Sequence, residues 1–249
     1  MMDGFPSHLA ERTRHRNSVP APHGSGPVVV WLKSSFRLHE NPAIDLGRHI
    51  AAEHNRPLLI YHGIDERYPH ASLRHHTMLL DAAVDMDEGC RKAGLRYVLH
   101  VARDGHRPSV MKAFSQSASC IITDLFPLPP WTICVVSIAA SAACPVFDVD
   151  CHCVIPMPLF GKSVDRPYKF RDATKKMRKK RLQATWPTIE ARPEAYTGPL
   201  PFEPVNVNED IKNLSKRFEL LSKCSIDPSV LPVWHERGGE KEALSKWQR

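Results

Sequence analysis

The sequence predicts an α/β fold: a doubly wound, mainly parallel five-stranded sheet with helices on both faces, then a linker and the start of a helical domain. Three observations carry this expectation. Between residues 28 and 150, short β-branched apolar runs alternate with longer amphipathic stretches. The first run, residues 28–33, is apolar and rich in β-branched residues, as for a strand covered on both faces. Beyond residue 150 the texture turns Pro-rich and basic.

Residues 1–26, "MMDGFPSHLAERTRHRNSVPAPHGSG", have no signal-peptide apolar core and end in Pro, Gly and Ser. They are expected to be a disordered lead-in. Residues 27–155 are expected to form the α/β domain. Its first strand covers 28–33. Asn41 then offers a side-chain cap, and Pro42 fits the first helical position, where a missing N–H does no harm. Ile44, Leu46, Ile50 and Ala51 give that helix an apolar stripe to about residue 55. "PLLIYHG" is a second strand. Ser72 can cap and Gly94 can end a long helix whose apolar face includes Leu73, Leu80, Ala83 and Val84. "LRYVLHV", "SCIITDLF" and "PVFDVD" complete the strands, with helices over 108–118 and 130–143 between them. The stretch 133–143 is apolar and small-residue rich, and it reads as a buried helix.

Residues 156–209 read as a basic segment followed by an extended Pro-rich linker. A basic helix is expected over 171–182 and a short helix over 210–222. Residues 210–249 read as the incomplete start of a further helical domain, with Gly238-Gly239 marking a break before its next helix.

No apolar run approaches the roughly 18 residues of a membrane span. The seven cysteines are odd in number and irregularly spaced, which suits a reducing cytoplasm better than a disulfide framework. The net charge of +7 is concentrated: residues 162–181 hold ten Lys or Arg against two Asp, which leaves the remainder near neutral. Such a patch suits a polyanion, because each neutralised phosphate releases counterions. Its candidate DNA contacts are Lys169, Arg171, Lys175, Lys176, Arg178, Lys179, Lys180 and Arg181, with Phe160, Tyr168 and Phe170 close by for stacking. A solvated helix face is the plain alternative.

Arg37, His39, Glu40 and Asn41 crowd the exit of the first strand. In parallel sheets ligands bind beyond the carboxyl ends of the strands, and Arg37 brings a fixed fork of donors there. Arg37, Glu40 and Asn41 are therefore candidates for an interdomain or ligand-edge role. A strand-to-helix turn capped by Asn41 is the simpler reading. No Gly-rich phosphate turn follows the strand, so a dinucleotide fingerprint is absent. Asp148, Asp150, Cys151, His152 and Cys153 lack the second Cys pair of structural zinc, and no metal is expected. His75 and His76 point about 100° apart on a helix and do not chelate together. No GxSxG elbow is present.

Together these pieces resemble the photolyase and cryptochrome family. "WLKSSFRLHENPAI" resembles its first strand and loop, and "LRHHTMLLDAAVDM" is closest to the Arg-His and leucine pattern of class II-like photolyases. "DVDCHCVIPMPLF" resembles the segment that closes the family's α/β domain, and "KFRDATKKMRKKRL" the basic stretch after it. "IDPSVLPVWHERGGEKEALSKW" resembles the start of the flavin domain. The resemblance implies a Rossmann-like domain that often holds an antenna pigment, here of unknown identity. In the complete protein it implies a helical domain binding FAD and damaged DNA, and light-driven splitting of pyrimidine dimers. The family's flavin-binding segments find no match here. Trp31, Trp131, Trp186, Trp234 and Trp247 match none of its electron-relay positions. The expectation is a truncated, inactive fragment without FAD or catalytic residues, cytoplasmic and monomeric. A cryptochrome-like photoreceptor without repair activity is an alternative. So is a stand-alone nucleotide-binding module with a basic, nucleic-acid-contacting tail.

Overall fold

A computed structural model describes residues 4–20, 22–233 and 235–249; Trp234 and residues 1–3 and 21 of the lead-in lie outside the described residues. The sheet has six strands, not the expected five: β1 (Thr13–His15), β2 (Val28–Leu32), β3 (Leu58–Ile64), β4 (Arg96–Val101), β5 (Cys120–Asp124) and β6 (Val146–Val149). Their order is β1-β6-β5-β2-β3-β4. Only β1 runs antiparallel, with Thr13 opposite Val149 and His15 opposite Phe147. The other pairings are parallel.

The extra strand corrects the expectation of a disordered lead-in. A four-residue helical turn, α1 (Ser7–Ala10), precedes β1 and buries Leu9 completely. Phe5 packs edge-on to Phe147 and His15 stacks on it at 4.7 Å. Arg14 and Arg16 both reach Asp148. The segment is ordered by long-range contacts with β6, which local polarity conceals.

Each central strand feeds two cores. Val28, Val30 and Leu32 face the helices α2 (Pro42–Glu53) and α3 (Leu73–Lys92). Val29 and Trp31 face α4 (Val110–Ser117) and α5 (Trp131–Ser141). The period-2 alternation of side chains thus buries both faces of β2, which is why its sequence is apolar throughout. Helix starts follow local chemistry. The Asn41 Oδ1 accepts from the Ala43 and Ile44 amides, Ser72 accepts from the His75 amide, and Gly94 at φ +70 ends α3 in the left-handed conformation that glycine tolerates.

α5 departs from expectation. It was expected to be buried, yet it lies on the outside and buries only Val135 and Ala139. Ile133 and Val136 are 65% and 52% exposed. It covers the second core from outside, and among the described residues no element lies over it.

After β6 come the short helix α6 (Met157–Phe160) and the basic helix α7 (Pro167–Leu182). Residues 183–206 contain no helix or strand but return along the sheet: the Leu58 amide donates to Glu194 O, Tyr196 N to Leu58 O, and Val205 N to Leu99 O. A single π-turn (Val207–Ile211) leads to α8 (Leu214–Ser222), whose Leu220 and Leu221 join the main core. The last helix, α9 (Glu240–Trp247), lies against α3. Among the described residues no helix is long and apolar enough to cross a membrane, and no His, Cys, Asp and Glu group could hold a metal ion.

Candidate functional site

In a sheet of this order, the chain turns opposite ways from β2 and from its neighbour β5. A crevice opens between their carboxyl ends, the place where doubly wound folds hold ligands. Asp124 ends β5 there and is fully buried. One of its oxygens accepts from the Lys33 amide and lies 3.2 Å from the Lys33 ammonium. The other accepts from the Ser34 amide, the Ser34 hydroxyl and the Ser35 amide at 2.6–2.8 Å. Burial alone would raise this carboxyl. The Lys33 charge and the hydrogen bonds from Ser34 and Ser35 outweigh it and hold the group below the usual carboxylate range. The floor of the crevice is therefore a fixed anion with its acceptor capacity in use, which sets the path of the loop after β2.

That loop carries the polar cluster. The Arg37 guanidinium donates to the Ser35 hydroxyl at 2.7 Å, to Cys151 O at 2.8 Å, and to His39 O and Glu40 O at 3.1 Å. It stitches the loop to the segment after β6. Asn41 is completely buried, and its amide donates to Ser35 O and Arg37 O while its oxygen caps α2. Glu40 is exposed, adopts a positive φ of 46° and lies 3.6 Å from His39. The contact between this loop and α9 runs through neighbouring residues: the Glu240 carboxylate accepts from the Leu38 and His39 amides at 2.9 and 2.8 Å.

A cavity of about 440 Å³ opens beyond β2, β3 and β4 on the second face. Trp31 and Tyr61 floor it, α4 supplies Val110 and Met111, and α5 supplies Trp131, Cys134 and Ile138. Tyr68 stacks on Trp131 at 6.0 Å and 14°. The Lys33 ammonium sits 5.1 Å from the Trp31 ring centre, which links the crevice to the cavity floor. Arg67, Arg107 and Lys112 stand among its lining residues. Arg67 is paired with Asp65, and Arg107 with Glu66 and Asp104. A Cβ at Gly63 would lie 2.5 Å from the Tyr61 hydroxyl, so a larger residue there would displace the tyrosine ring. The cavity falls within the ~300–1,000 Å³ of small-molecule sites. Aromatic walls with cations among the lining fit a planar ring system bearing an anionic tail.

The basic residues lie on α7, whose only buried residue is Thr174. Lys169 pairs with Asp165. Arg181, half-buried, pairs with Glu11 beside α1. Arg171, Lys175, Lys176, Lys179 and Lys180 are exposed, and Arg178 is partly so. Phe160 and Phe170 meet edge-on at 5.0 Å, and Tyr168 is 53% exposed. The structure does not bring this helix together with the aromatic cavity. Asp124, Lys33, Trp31, Tyr61 and Trp131 were not singled out as site residues from the sequence. The one local hint was a charged residue ending each of two apolar runs, "WLK" and "ITD".

A doubly wound sheet with a cavity at its carboxyl edge defines a Rossmann-like α/β domain. More narrowly, the family model described as DNA photolyase matches residues 28–194, and the chain belongs to that family. A curated relative, the deoxyribodipyrimidine photo-lyase of Methanothermobacter thermautotrophicus, is 28% identical over 148 residues, 59% of this chain and 33% of the relative. The chain thus spans about a third of that relative's length. The crystal structure of an archaeal photolyase from Sulfolobus tokodaii with two FAD molecules superposes with a TM-score of 0.58 at 14% identity, over 89% of this chain and 46% of that one. That likeness shows the shared fold.

Proposed function

We propose that this chain forms the light-collecting α/β part of a photolyase-like protein that repairs pyrimidine dimers in DNA. In this reading the cavity over β2, β3 and β4 is the pigment site. The observation that carries it is the aromatic frame of Trp31, Tyr61 and Trp131, with Tyr68 stacked on the last, at the carboxyl edge of a photolyase-family sheet. The archaeal photolyase solved with two FAD molecules, with its implication of a novel light-harvesting cofactor, makes a flavin the pigment to test first.

A flavin bound here would absorb visible light and pass on the excitation. The residues of this chain bind and orient it. Trp31 and Trp131 offer ring faces, the apolar side chains of α4 and α5 exclude water, and Lys112, which has no ion-pair partner among the described residues, meets an anionic tail. In the complete protein, reduced FAD would donate the electron that splits the dimer; no residue of this chain is assigned to that step. The exposed cations of α7 (Lys169, Arg171, Lys175, Lys176, Arg178, Lys179) would hold DNA by its phosphates, without base selection.

The test is titration of FAD and of riboflavin with the purified chain, read as quenching of flavin fluorescence. Saturable quenching that Trp131→Ala weakens supports the reading. No quenching, or quenching indifferent to Trp131, refutes the pigment site.

A further inference from the structure

A second cavity, of about 740 Å³, lies away from the aromatic one, between α1, the end of α7 and the loop segments around Arg37 and Cys151. Four cations line it: Arg12, Arg37, Lys180 and Arg181. Its two carboxylates are Glu11, which pairs with Arg181 inside the lining, and the exposed Glu40, 3.6 Å from His39. Among the described residues, Arg12, Arg37 and Lys180 form no ion pair.

Arg12 is the least expected of these. The residue is only 6% exposed. It donates to His8 O, Asp150 O and Cys153 O, all neutral carbonyls, and its guanidinium lies 5.1 Å from the Trp186 ring centre. Its second terminal nitrogen, Nη2, makes no hydrogen bond to a described residue. The nearby Asp150 carboxylate does not satisfy it, because Asp150 accepts from the His152, Cys153 and Met157 amides instead. Arg37 is likewise held only by carbonyls and a hydroxyl. Buried charges are ordinarily paired. Two guanidiniums in one cavity wall are hydrogen-bonded only to neutral acceptors, and the lining holds four Lys or Arg against two carboxylates, a net excess of positive charge. His8, also in the wall, has a buried Nε2 with no partner.

The apolar part of the lining includes Val154, Leu159, Met177 and Trp186. A bare inorganic anion would leave that surface uncovered. The volume lies within the ~300–1,000 Å³ of small-molecule sites. Lys180 and Arg181 turn into this recess, whereas Lys175, Lys176 and Lys179 stay on the exposed surface of α7.

We propose that this cavity binds a nucleotide. Its phosphates are held by Arg12, Arg37 and Lys180, and its base lies against Val154, Leu159 and Met177. The site is separate from the aromatic cavity, and the inference does not depend on the pigment reading. The unbonded Nη2 of Arg12 suits phosphate oxygens, while Arg37, with four of its donors already held by the protein, adds its charge and its one remaining N–H. Arg12 and Arg37 are pre-set by their carbonyl bonds, so little side-chain freedom is lost on binding.

The experiment is isothermal titration of the full chain with ADP, repeated with adenosine and with inorganic phosphate as competitor. Saturable one-to-one binding is expected, competed by phosphate and stronger than that of adenosine. The exposed Lys180 can be changed without disturbing the core. Lys180→Ala should weaken ADP binding about tenfold, the loss of one charge-assisted hydrogen bond, and Lys180→Glu more. Absence of saturable binding, or equal binding by both Lys180 variants, would overturn the proposal. So would loss of ADP binding in Trp131→Ala, which would put the ligand in the aromatic cavity. Displacement of ADP by duplex DNA at equal phosphate concentration would make the recess part of a polymer-binding surface, and overturn it too.

Discussion

Asp124 and the cations of α7 are charged groups in one molecule under opposite rules. Asp124 is completely buried, and both carboxylate oxygens are taken by Lys33, Ser34 and Ser35. α7 holds its lysines and arginines mostly in solvent, with two ion pairs among them. The buried charge is fixed and sets a loop. The exposed charges are free, and so available to a partner. Charge that shapes the fold can thus be told from charge that binds by asking what already satisfies it. Arg12 and Arg37 fall between the two cases, held in place by neutral acceptors yet without an ion pair among the described residues.

The largest effect should follow from breaking the fixed charge. Asp124→Ala leaves the Lys33 ammonium buried without its carboxylate and frees the Ser34 and Ser35 amides. Losing one partner of a buried pair costs about 3–5 kcal/mol. Chemical denaturation should show a loss of that size. A loss below about 1 kcal/mol would mean that the loop is set by Asn41 and Arg37 alone, by the scale of an ordinary hydrogen bond.

Acid should separate two further buried sets. Burial lowers His62 to about 3, with Asp124 opposing, and lowers His76 to about 4, with His75 adding to the effect. Unfolded imidazoles titrate near about 6.5. The unfolded chain therefore binds more protons below that pH, and stability falls as pH drops from about 6.5 toward the folded values. The Asp124 carboxyl is also depressed, but its reference lies near about 3.9, so its stabilisation is lost only at lower pH. Stability measured between pH 6.5 and 4.5 should fall in the wild type and fall less steeply in His62→Gln. Equal slopes would show that His62 does not titrate with unfolding.

How much of this was legible in the sequence depended on range. Asn41-Pro42 announced the start of α2 because a cap acts within three residues. The strands were legible because burial on both faces makes them mostly apolar, without a break in β2 and with few polar residues in β3 and β5. The Asp124–Lys33 pair spans 91 residues, so the charge that ends each run shows locally but its partner does not. Trp31 and Trp131 share a cavity only because the sheet places α5 beyond β2. β1 was invisible for the same reason: three residues with one buried make no pattern until Phe147 and Asp148 are set beside them. α5 misled in the other direction, since an apolar composition states a preference for burial without supplying a neighbour.

A smaller effect is expected where α9 meets the polar loop. Glu240 accepts from the Leu38 and His39 amides, yet α9 buries none of its own residues. Glu240→Ala should reduce stability by about 1 kcal/mol at most. It should instead speed hydrogen exchange at the Leu38 and His39 amides, a local opening. If exchange at those two amides does not change, the loop is held by Arg37 and Asn41 without help from α9.

The smallest effect on stability, and the most specific on binding, is expected on α7. Lys175, Lys176 and Lys179 are exposed and form no ion pair with any described residue. Replacing all three with Ala removes charge but no packing, and alanine is the better helix former. Stability should therefore stay within about 0.5 kcal/mol per site, and relief of repulsion among the three could even raise it. DNA affinity should respond differently. Each phosphate contact steepens the dependence of log affinity on log salt by about 0.9. If all three lysines meet phosphates, the triple variant should show weaker binding at low salt and a slope shallower by nearly three units. An unchanged slope would make this face of α7 a solvated surface, and would leave Asp124 with no free-charge counterpart on this helix outside the recess formed by Lys180 and Arg181.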